Sequence, residues 1–227
     1  MDPLDNPTWY ALTNRHAAFA EVDGLARRYR PDVSVFAAID EPSPEAWTAL
    51  AALAGPGTDL VMNRLGVVEP PPDWTVHRNG RGFQMVLDGE PDDDTAVDLR
   101  ALTNDDVDEM MALVQLTEPG PFRPRTIELG GYLGFFEDGR LLAMAGQRVG
   151  LDEHTEISAV CTHPDARRRG LAGSVSAAVA RNIRAEGRTP ILHVAENNVE
   201  AKRVYERLGF GVRTMLTFAA MRTPGRP

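Results

Sequence analysis

The sequence predicts an α/β protein, because strand-like and helix-like patterns alternate along most of the chain. Short apolar runs are bounded by turn-forming residues, as in Val97–Leu102 and Thr189–Val194. Between such runs, Leu171–Ala185 repeats apolar residues three and four positions apart, which is the period of an amphipathic helix. With 227 residues, 43% of them hydrophobic, the chain can bury one large core or two small ones.

An acidic segment divides the chain. Five of the eight residues in Asp88–Thr95 are acidic, and a Gly and a Pro lie among them, so this segment cannot belong to a core. We therefore predict a domain boundary after residue 94. A smaller N-terminal α/β domain would span residues 1–94, and a second domain would span residues 95–227.

The N-terminal part contains strand, helix and hairpin signals. Asp32–Ala38 is a short apolar strand, and Ser43–Ala54 is a helix that begins with a Ser N-cap followed by Pro. Further on, Asn79-Gly80 lies between two alternating segments, Trp74–Arg78 and Phe83–Leu87. Asn-Gly is the strongest short hairpin signal, so these two segments are predicted to pair with each other.

The C-terminal part has a more regular order, β-α-β-β-β-α-β-α-β. The predicted strands cover residues 97–102, 131–136, 141–149, 156–162, 189–194 and 211–220. One helix is capped by Thr103 and the next covers Leu171–Ala185; the last ends at Gly209, a typical C-cap.

The segment Arg167-Arg168-Arg169-Gly170-Leu171-Ala172 connects a strand to a helix and has the properties of an anion site. The first amides of a helix have no internal partners, and the helix dipole places partial positive charge there. Gly170 and Ala172 are small enough for a pyrophosphate to approach the main chain. Ser174 could add a hydroxyl from the first helical turn. The alternative is an Arg-rich loop that is simply solvated, since short Gly motifs are often fortuitous.

A second pattern follows at the correct spacing. Leu192–Asn198 is a strand that ends in an Asn-rich turn, and Ala201–Phe210 is a helix that ends in Tyr-x-x-Leu-Gly-Phe. Together with the Arg-x-x-Gly-x-Ala motif, this order resembles the GNAT superfamily of acetyl-CoA-dependent N-acetyltransferases. The resemblance covers about residues 96–221.

The resemblance implies a mixed central sheet, flanked by helices, that splays open beside the strand before the phosphate loop. The pantetheine arm of acetyl-CoA would lie in that opening and the pyrophosphate on the loop amides. Acetyl-CoA would be the cosubstrate, without a metal. The cofactor-binding residues implied are Val160, Cys161, Thr162, Arg167, Arg168, Arg169, Gly170, Leu171, Ala172, Ser174, Asn198 and Tyr205.

The resemblance also suggests a role for the N-terminal part. An extra domain before such a core resembles the glycine N-acyltransferase-like branch, and residues 1–94 could also be a degenerate copy of the same fold. If the first interpretation is correct, this part would line the acceptor cleft and set specificity rather than bind acetyl-CoA. The loop Pro119–Arg125 is expected to form the other wall of that cleft.

Catalysis by direct attack of an amine on the thioester, in a ternary complex, requires a base and an acid. Tyr205 occupies the position of the acid in many family members; the alternative is a core aromatic. Glu156 and His193 both lie where family members place a base. Partial burial would raise the pKa of Glu156 toward a useful value, which favours it slightly. Imidazole exchanges protons near neutral pH, so His193 remains the second candidate for the base. The alternatives are a solvated strand end for Glu156 and a core histidine for His193.

Other functions are less consistent with the sequence. A thiol nucleophile at Cys161 with His163 lacks a third orienting residue. No zinc or serine-hydrolase motif is present. The net charge of −9 argues against a nucleic-acid partner and slightly favours a cationic or neutral acceptor. A coenzyme A binding regulatory module without turnover is the main alternative to an enzyme.

The chain begins without a secretory signal and contains no apolar run long enough for a membrane span, so we expect a cytoplasmic protein with no membrane partner. The expected partner is an amine acceptor, either a small molecule or a peptide. The oligomeric state is left open, a homodimer included.

Overall fold

The computed structural model describes residues 2–93 and 97–225. The strands are β1 (Ala20–Asp23), β2 (Ala26–Tyr29), β3 (Ala37–Ile39), β4 (Asp59–Arg64), β5 (Thr75–Val86), β6 (Arg100–Ala101), β7 (Tyr132–Glu137), β8 (Arg140–Gly150), β9 (His154–Thr162), β10 (Thr189–Ala195) and β11 (Gly211–Arg222). The helices are α1 (Pro7–Thr13), α2 (Pro44–Ala54), α3 (Val107–Thr117), α4 (Leu171–Ala185) and α5 (Val199–Arg207).

Eight of these strands form one mixed sheet in the order β4-β11-β5-β10-β9-β8-β7-β6. Its β9–β10 pair is parallel and its other pairs are antiparallel. Helix α4 packs on one face with Val175, Val179 and Ile183 against Ala143 and Ala145 of β8. Helix α3 covers the opposite face, where Met110 belongs to the same core cluster as Met144 and Cys161. The predicted mixed sheet with flanking helices is therefore confirmed.

A smaller sheet of three antiparallel strands, in the order β1-β2-β3, lies in the N-terminal part. Helix α2 packs against it with Trp47 and Leu50, and the same apolar cluster includes Met221 of β11. The predicted boundary at residue 94 lies outside the described residues. Strands β4 and β5 precede that position yet belong to the large sheet. The division into domains stays a prediction, whereas both parts of the chain demonstrably share one sheet.

The predicted hairpin at Asn79-Gly80 is wrong. Residues 75–86 form the single strand β5, which pairs with β11 along its whole length and with β10 over Gly82–Val86. Neither Asn79 nor Gly80 has the positive φ that a tight Asn-Gly turn requires. Pairing with two non-local strands therefore outweighs the local turn preference.

The remaining elements agree with the sequence to different degrees. Helix α4 has the predicted bounds, and Ser43 caps α2 by accepting a hydrogen bond from the amide of Ala46. Thr103 and Asp106 form a capping box before α3. The two predicted strands at 32–38 and 97–102 are shorter or displaced, since only Ala37–Ile39 and Arg100–Ala101 are strands.

Candidate functional site

The sheet opens between its two parallel strands. Strands β9 and β10 pair from His154 only as far as Ile157, so the edge of Ser158–Thr162 that faces β10 has no strand partner. Between Ser158 and Cys161 the strand carries one residue more than β8 opposite, and Ala159 in this bulge has a φ of 53°. Bulges bend a strand and end pairing. The unpaired backbone edge is therefore available to an extended ligand.

A cavity of about 520 Å³ lies in this opening and is called the donor cavity below. Seven of the predicted cofactor residues line it, namely Val160, Cys161, Thr162, Arg167, Ala172, Asn198 and Tyr205. The hydroxyl of Thr162 is buried and has no hydrogen-bond partner among the described residues. Asn198 caps α5 by accepting from the amide of Ala201, which leaves its NH₂ group to donate elsewhere. Both side chains fit a ligand that carries amide groups, as pantetheine does.

A groove of about 940 Å³ continues from the donor cavity to the start of α4. Gly170 is the N-cap residue, with a φ of 80°, and no side chain caps the helix. The first amides of α4 are therefore free to bind an anion. The groove is lined by the predicted residues Arg167, Arg168, Gly170, Leu171 and Ala172.

Two other predicted cofactor residues lie outside the lining of this groove. The guanidinium of Arg169 pairs with Glu137, with Nη2 2.6 Å from Oε1. The buried hydroxyl of Ser174 points back to the carbonyl of Gly170, at 3.5 Å. The backbone of Arg169 still belongs to the phosphate loop, but its side-chain charge is already neutralised by a carboxylate.

The two candidate bases meet in one buried cluster beside the donor cavity. Glu156 Oε1 lies 2.7 Å from Nδ1 of His193 and 2.5 Å from Nη2 of Arg148. Arg148 Nε donates to Oε2 at 2.9 Å, which completes a bidentate pair. All three side chains line the donor cavity, and Glu156 is only 1% exposed. Glu156 is therefore not a solvated strand end, whereas His193, buried with a partner on each ring nitrogen, matches a core histidine as well as a candidate base.

The pKa of Glu156 is lowered, whereas burial was expected from the sequence to raise it. Burial alone raises it, but the charges of Arg148 and His193 and their hydrogen bonds outweigh burial and lower the pKa to about 2. The expectation of a raised pKa was wrong, because Arg148 was not recognised as its partner. Glu156 is therefore an anion that resists protonation.

Gln84 of β5 determines which nitrogen of His193 carries the proton. Its side-chain Nε2 donates to the carbonyl of Leu4 at 2.9 Å, and its Oε1 accepts from Arg213 at 2.9 Å. These contacts orient the amide so that its NH₂ group faces His193 Nε2, at 3.1 Å. Nε2 must then be the acceptor, and Nδ1–H donates to Glu156.

Tyr205, in the last turn of α5, lines the other side of the donor cavity. Burial, with a smaller contribution from Cys161, raises the pKa of Tyr205 to about 12. The phenol is thus protonated at neutral pH and can donate a proton. It also packs edge to face on Phe210, so the predicted acid is at the same time a core aromatic.

The thiol alternative is not supported by the geometry. Burial raises the pKa of Cys161 to about 11, which keeps the thiol protonated. His163 follows the strand, and its Nδ1 accepts from the amide of Asp165 at the turn before the phosphate loop. The histidine therefore stabilises that turn rather than the thiolate.

The comparisons with known proteins identify the family. The family model described as FR47-like protein matches residues 132–219. A GNAT-family protein of known structure from Novosphingobium aromaticivorans is 36% identical, with 100% of both chains covered and a TM-score of 0.91. The chain belongs to the GNAT family.

Two more distant GNAT structures share the fold. A GCN5-related N-acetyltransferase from Kribbella flavida is 18% identical over 91% of this chain and 90% of its own, with a TM-score of 0.60. A GNAT acetyltransferase from Colwellia psychrerythraea is 14% identical over 93% and 96%, with a TM-score of 0.56. No curated protein sequence matches the chain. Membership of the GNAT family supports acyl transfer, while the glycine N-acyltransferase-like branch stays a prediction.

Three residues of the candidate site were not found from the sequence: Arg148 and Arg78, which line the donor cavity, and Gln84, which contacts His193. Arg148 and Gln84 are polar residues inside otherwise apolar strand segments, which was the available signal. Within residues 2–93 and 97–225 no group of three or more His, Cys, Asp or Glu could hold a metal ion. In the same part of the chain, no helix has the length and hydropathy to cross a membrane.

The buried ion pair of Glu156 and Arg148 predicts that the free energy of unfolding depends on pH. Because the pKa of Glu156 falls from an ordinary 4.5 to about 2, its ionised form stabilises the fold fully above pH 4.5. That contribution is lost as the pH falls toward 2. We expect Glu156→Gln to lower the free energy of unfolding by about 3–5 kcal/mol at pH 7, the cost of breaking a buried ion pair.

The difference between wild type and Glu156→Gln should shrink as the pH is lowered from 4.5, measured by urea unfolding at each pH. Glu137→Gln is the matched control, because Glu137 belongs to an exposed pair with Arg169 that water screens. A difference for Glu156→Gln that does not change with pH would contradict the assignment of its low pKa.

Proposed function

We propose that this GNAT protein transfers an acetyl group from acetyl-CoA directly to a primary amine on a small molecule or peptide, within a ternary complex. The observation that carries the proposal is the continuity of the donor cavity with the groove at α4. Thr162, Arg167 and Ala172 line both. An elongated ligand with an amide-containing arm at one end and phosphates at the other matches that path.

Each part of the path suits one part of coenzyme A. The unpaired edge of Ser158–Thr162 would bind the pantetheine amides as a neighbouring strand does. The free amides at the start of α4, with Arg167 and Arg168, would bind the pyrophosphate. When bound there, acetyl-CoA supplies an acetyl thioester that an amine can attack.

For the proton on the attacking amine, the geometry favours His193 over Glu156. A carboxyl with a pKa of about 2 is a weak base, whereas His193 Nε2 has a lone pair that faces only the amide of Gln84. A proton arriving at Nε2 would displace that amide, and the resulting imidazolium would be stabilised by Glu156 at 2.7 Å. Glu156 would thus orient and stabilise His193, as the carboxylate does in catalytic triads.

For the leaving thiolate, Tyr205 supplies the proton. Its hydroxyl is protonated at neutral pH, and it lines the cavity in which the sulfur would lie. General acid catalysis of this kind contributes about 10²–10⁴-fold to a rate. The C–S bond of the thioester breaks as the C–N bond forms, the amine gives up a proton to His193, and the thiolate gains one from Tyr205. Transfer of a proton from the imidazolium to the tyrosinate through solvent then restores both groups.

Release of free coenzyme A thiol from acetyl-CoA across a panel of amines tests the proposed function. We expect Tyr205→Phe to lower kcat by about 10²-fold without weakening the binding of coenzyme A. Tyr132→Phe is the matched control, because its hydroxyl is buried without a hydrogen-bond partner among the described residues and lies outside the donor cavity. If the protein binds coenzyme A but releases no thiol with any amine, the proposed transferase activity is contradicted and a binding module is indicated.

The proton acceptor is tested by the pH dependence of kcat/KM. We expect His193→Ala to remove the acidic limb of the profile and to lower kcat/KM by about 10²-fold, since general base catalysis is lost. Added imidazole should restore part of the rate, which a merely structural histidine would not allow. If His193→Ala and Glu156→Gln both retain the wild-type acidic limb, neither residue is the base.

A further inference from the structure

A second cavity, of about 310 Å³, adjoins the donor cavity and is called the acceptor cavity below. The two share Arg78, Arg148 and His193. Its volume lies at the lower end of small-molecule sites. Under the proposed function, an amine that reaches His193 from the side opposite the phosphate groove would occupy this cavity.

The register of β5 shows how this cavity is built. From Gln84 to Arg78 the strand pairs with β11 without a shift, so Gln84, Gly82, Gly80 and Arg78 share one face. Gln84 contacts His193 on this face, and the two glycines leave space beyond it. A Cβ on Gly82 would lie 3.0 Å from the ring of Phe218, so this ring can pack over the strand only because position 82 is glycine. Arg78 stands at the far end of the same face.

The charges around the acceptor cavity are of one sign. No Asp or Glu lines it, and its arginines are Arg78, Arg81 and Arg148. Arg148 is neutralised by Glu156, and Arg81 alternates to the opposite face of β5. Arg78 makes no ion pair or side-chain hydrogen bond with any residue in 2–93 or 97–225. Glu118 lines the donor cavity but not this one.

The other lining groups are mainly apolar. Phe36, Val61, Pro121 and Phe218 contribute side chains without charge or hydrogen-bonding groups. Arg78 is exposed at the edge of these apolar groups, so a carboxylate bound there would form a charge-assisted pair that solvent screens in part. An acceptor with a cationic side chain would instead be repelled by Arg78, because no carboxylate lines the cavity to offset that repulsion.

We propose that the acceptor is an amino acid with a free amine, an apolar side chain and a carboxylate that pairs with Arg78. The inference rests on the proposed function, because it identifies the acceptor of the same site. It narrows the expectation, drawn from the net charge of −9, of a cationic or neutral acceptor, because an amino acid with an apolar side chain is a zwitterion without net charge at neutral pH. The charge of the cavity, not of the whole surface, selects the acceptor.

The test compares leucine, methionine and phenylalanine with their carboxamides, which keep the amine and side chain but lose the negative charge. For wild type, Arg78→Gln and Arg30→Gln, kcat/KM is measured from thiol release with acetyl-CoA. We expect Arg78→Gln to lower the ratio of acid to amide by about 5-fold, the upper end for an ion pair that solvent screens in part. Arg30→Gln removes an exposed arginine that lines neither cavity, so it should leave the ratio unchanged.

A second measurement separates this inference from the proposed function. Binding of the same amino acids to the protein saturated with coenzyme A is followed by calorimetry, with and without Arg78→Gln. Arg78-dependent binding without thiol release supports the carboxylate site and contradicts the transferase. Thiol release with carboxamides, with no dependence on Arg78 for the acids, contradicts the carboxylate site alone. Absence of binding and turnover for every amino acid overturns this inference, whereas the proposed function is overturned only if no amine of the wider panel releases thiol.

Discussion

The early end of pairing between β9 and β10 is the constraint on which the rest of the site depends. Past Ile157 the two strands part, yet each keeps its outer neighbour. β10 stays paired with β5 as far as Ala195, and β9 stays paired with β8 as far as Thr162. Only the inner edges lose their hydrogen bonds, so the opening costs much less than a broken sheet. Those inner edges are the groups that a ligand can satisfy.

The buried cluster of Arg148, Glu156, His193 and Gln84 lies where the strands begin to part. Its members come from β8, β9, β10 and β5, so it links four neighbouring strands through polar contacts. Burying these charges is costly unless each one is paired, and here they are paired. The cluster extends through Arg213 to Asp2 and Asp5, which ties the N-terminal segment to the chemistry. The N-terminal part thereby contributes structure to the site as well as strands to the sheet.

The sequence predicts the features of this fold that depend on neighbouring residues. The bounds of α4, its uncapped glycine start and the caps of α2 and α3 all follow from local preferences, and all are present. Strand β5 could not be predicted in the same way. Its Asn-Gly pair favours a turn locally, and only pairing with β10 and β11, more than a hundred residues away, keeps it extended.

The charge states of the site residues likewise depend on residues that are distant in the sequence. Glu156 and His193 were recognised as candidates, but the sign of the pKa shift of Glu156 depends on Arg148, which lies across the β8–β9 pair. The role of Arg78 was hidden for the same reason, since the predicted hairpin would have placed it beside a turn. Once β5 is one strand, its alternation puts Arg78 on the face of His193. Local pattern thus predicts the donor side, whereas the proposed base and acceptor depend on contacts that long-range pairing creates.

The most direct test of this account is amide hydrogen exchange, followed by mass spectrometry, with and without saturating coenzyme A. The unpaired edge of Ser158–Thr162 and the first turn of α4 should become protected together, because one ligand satisfies both sets of amides. Strands β1 and β2, which form no part of the described cavities, should exchange unchanged. Bound coenzyme A that leaves residues 158–173 unprotected would contradict the account.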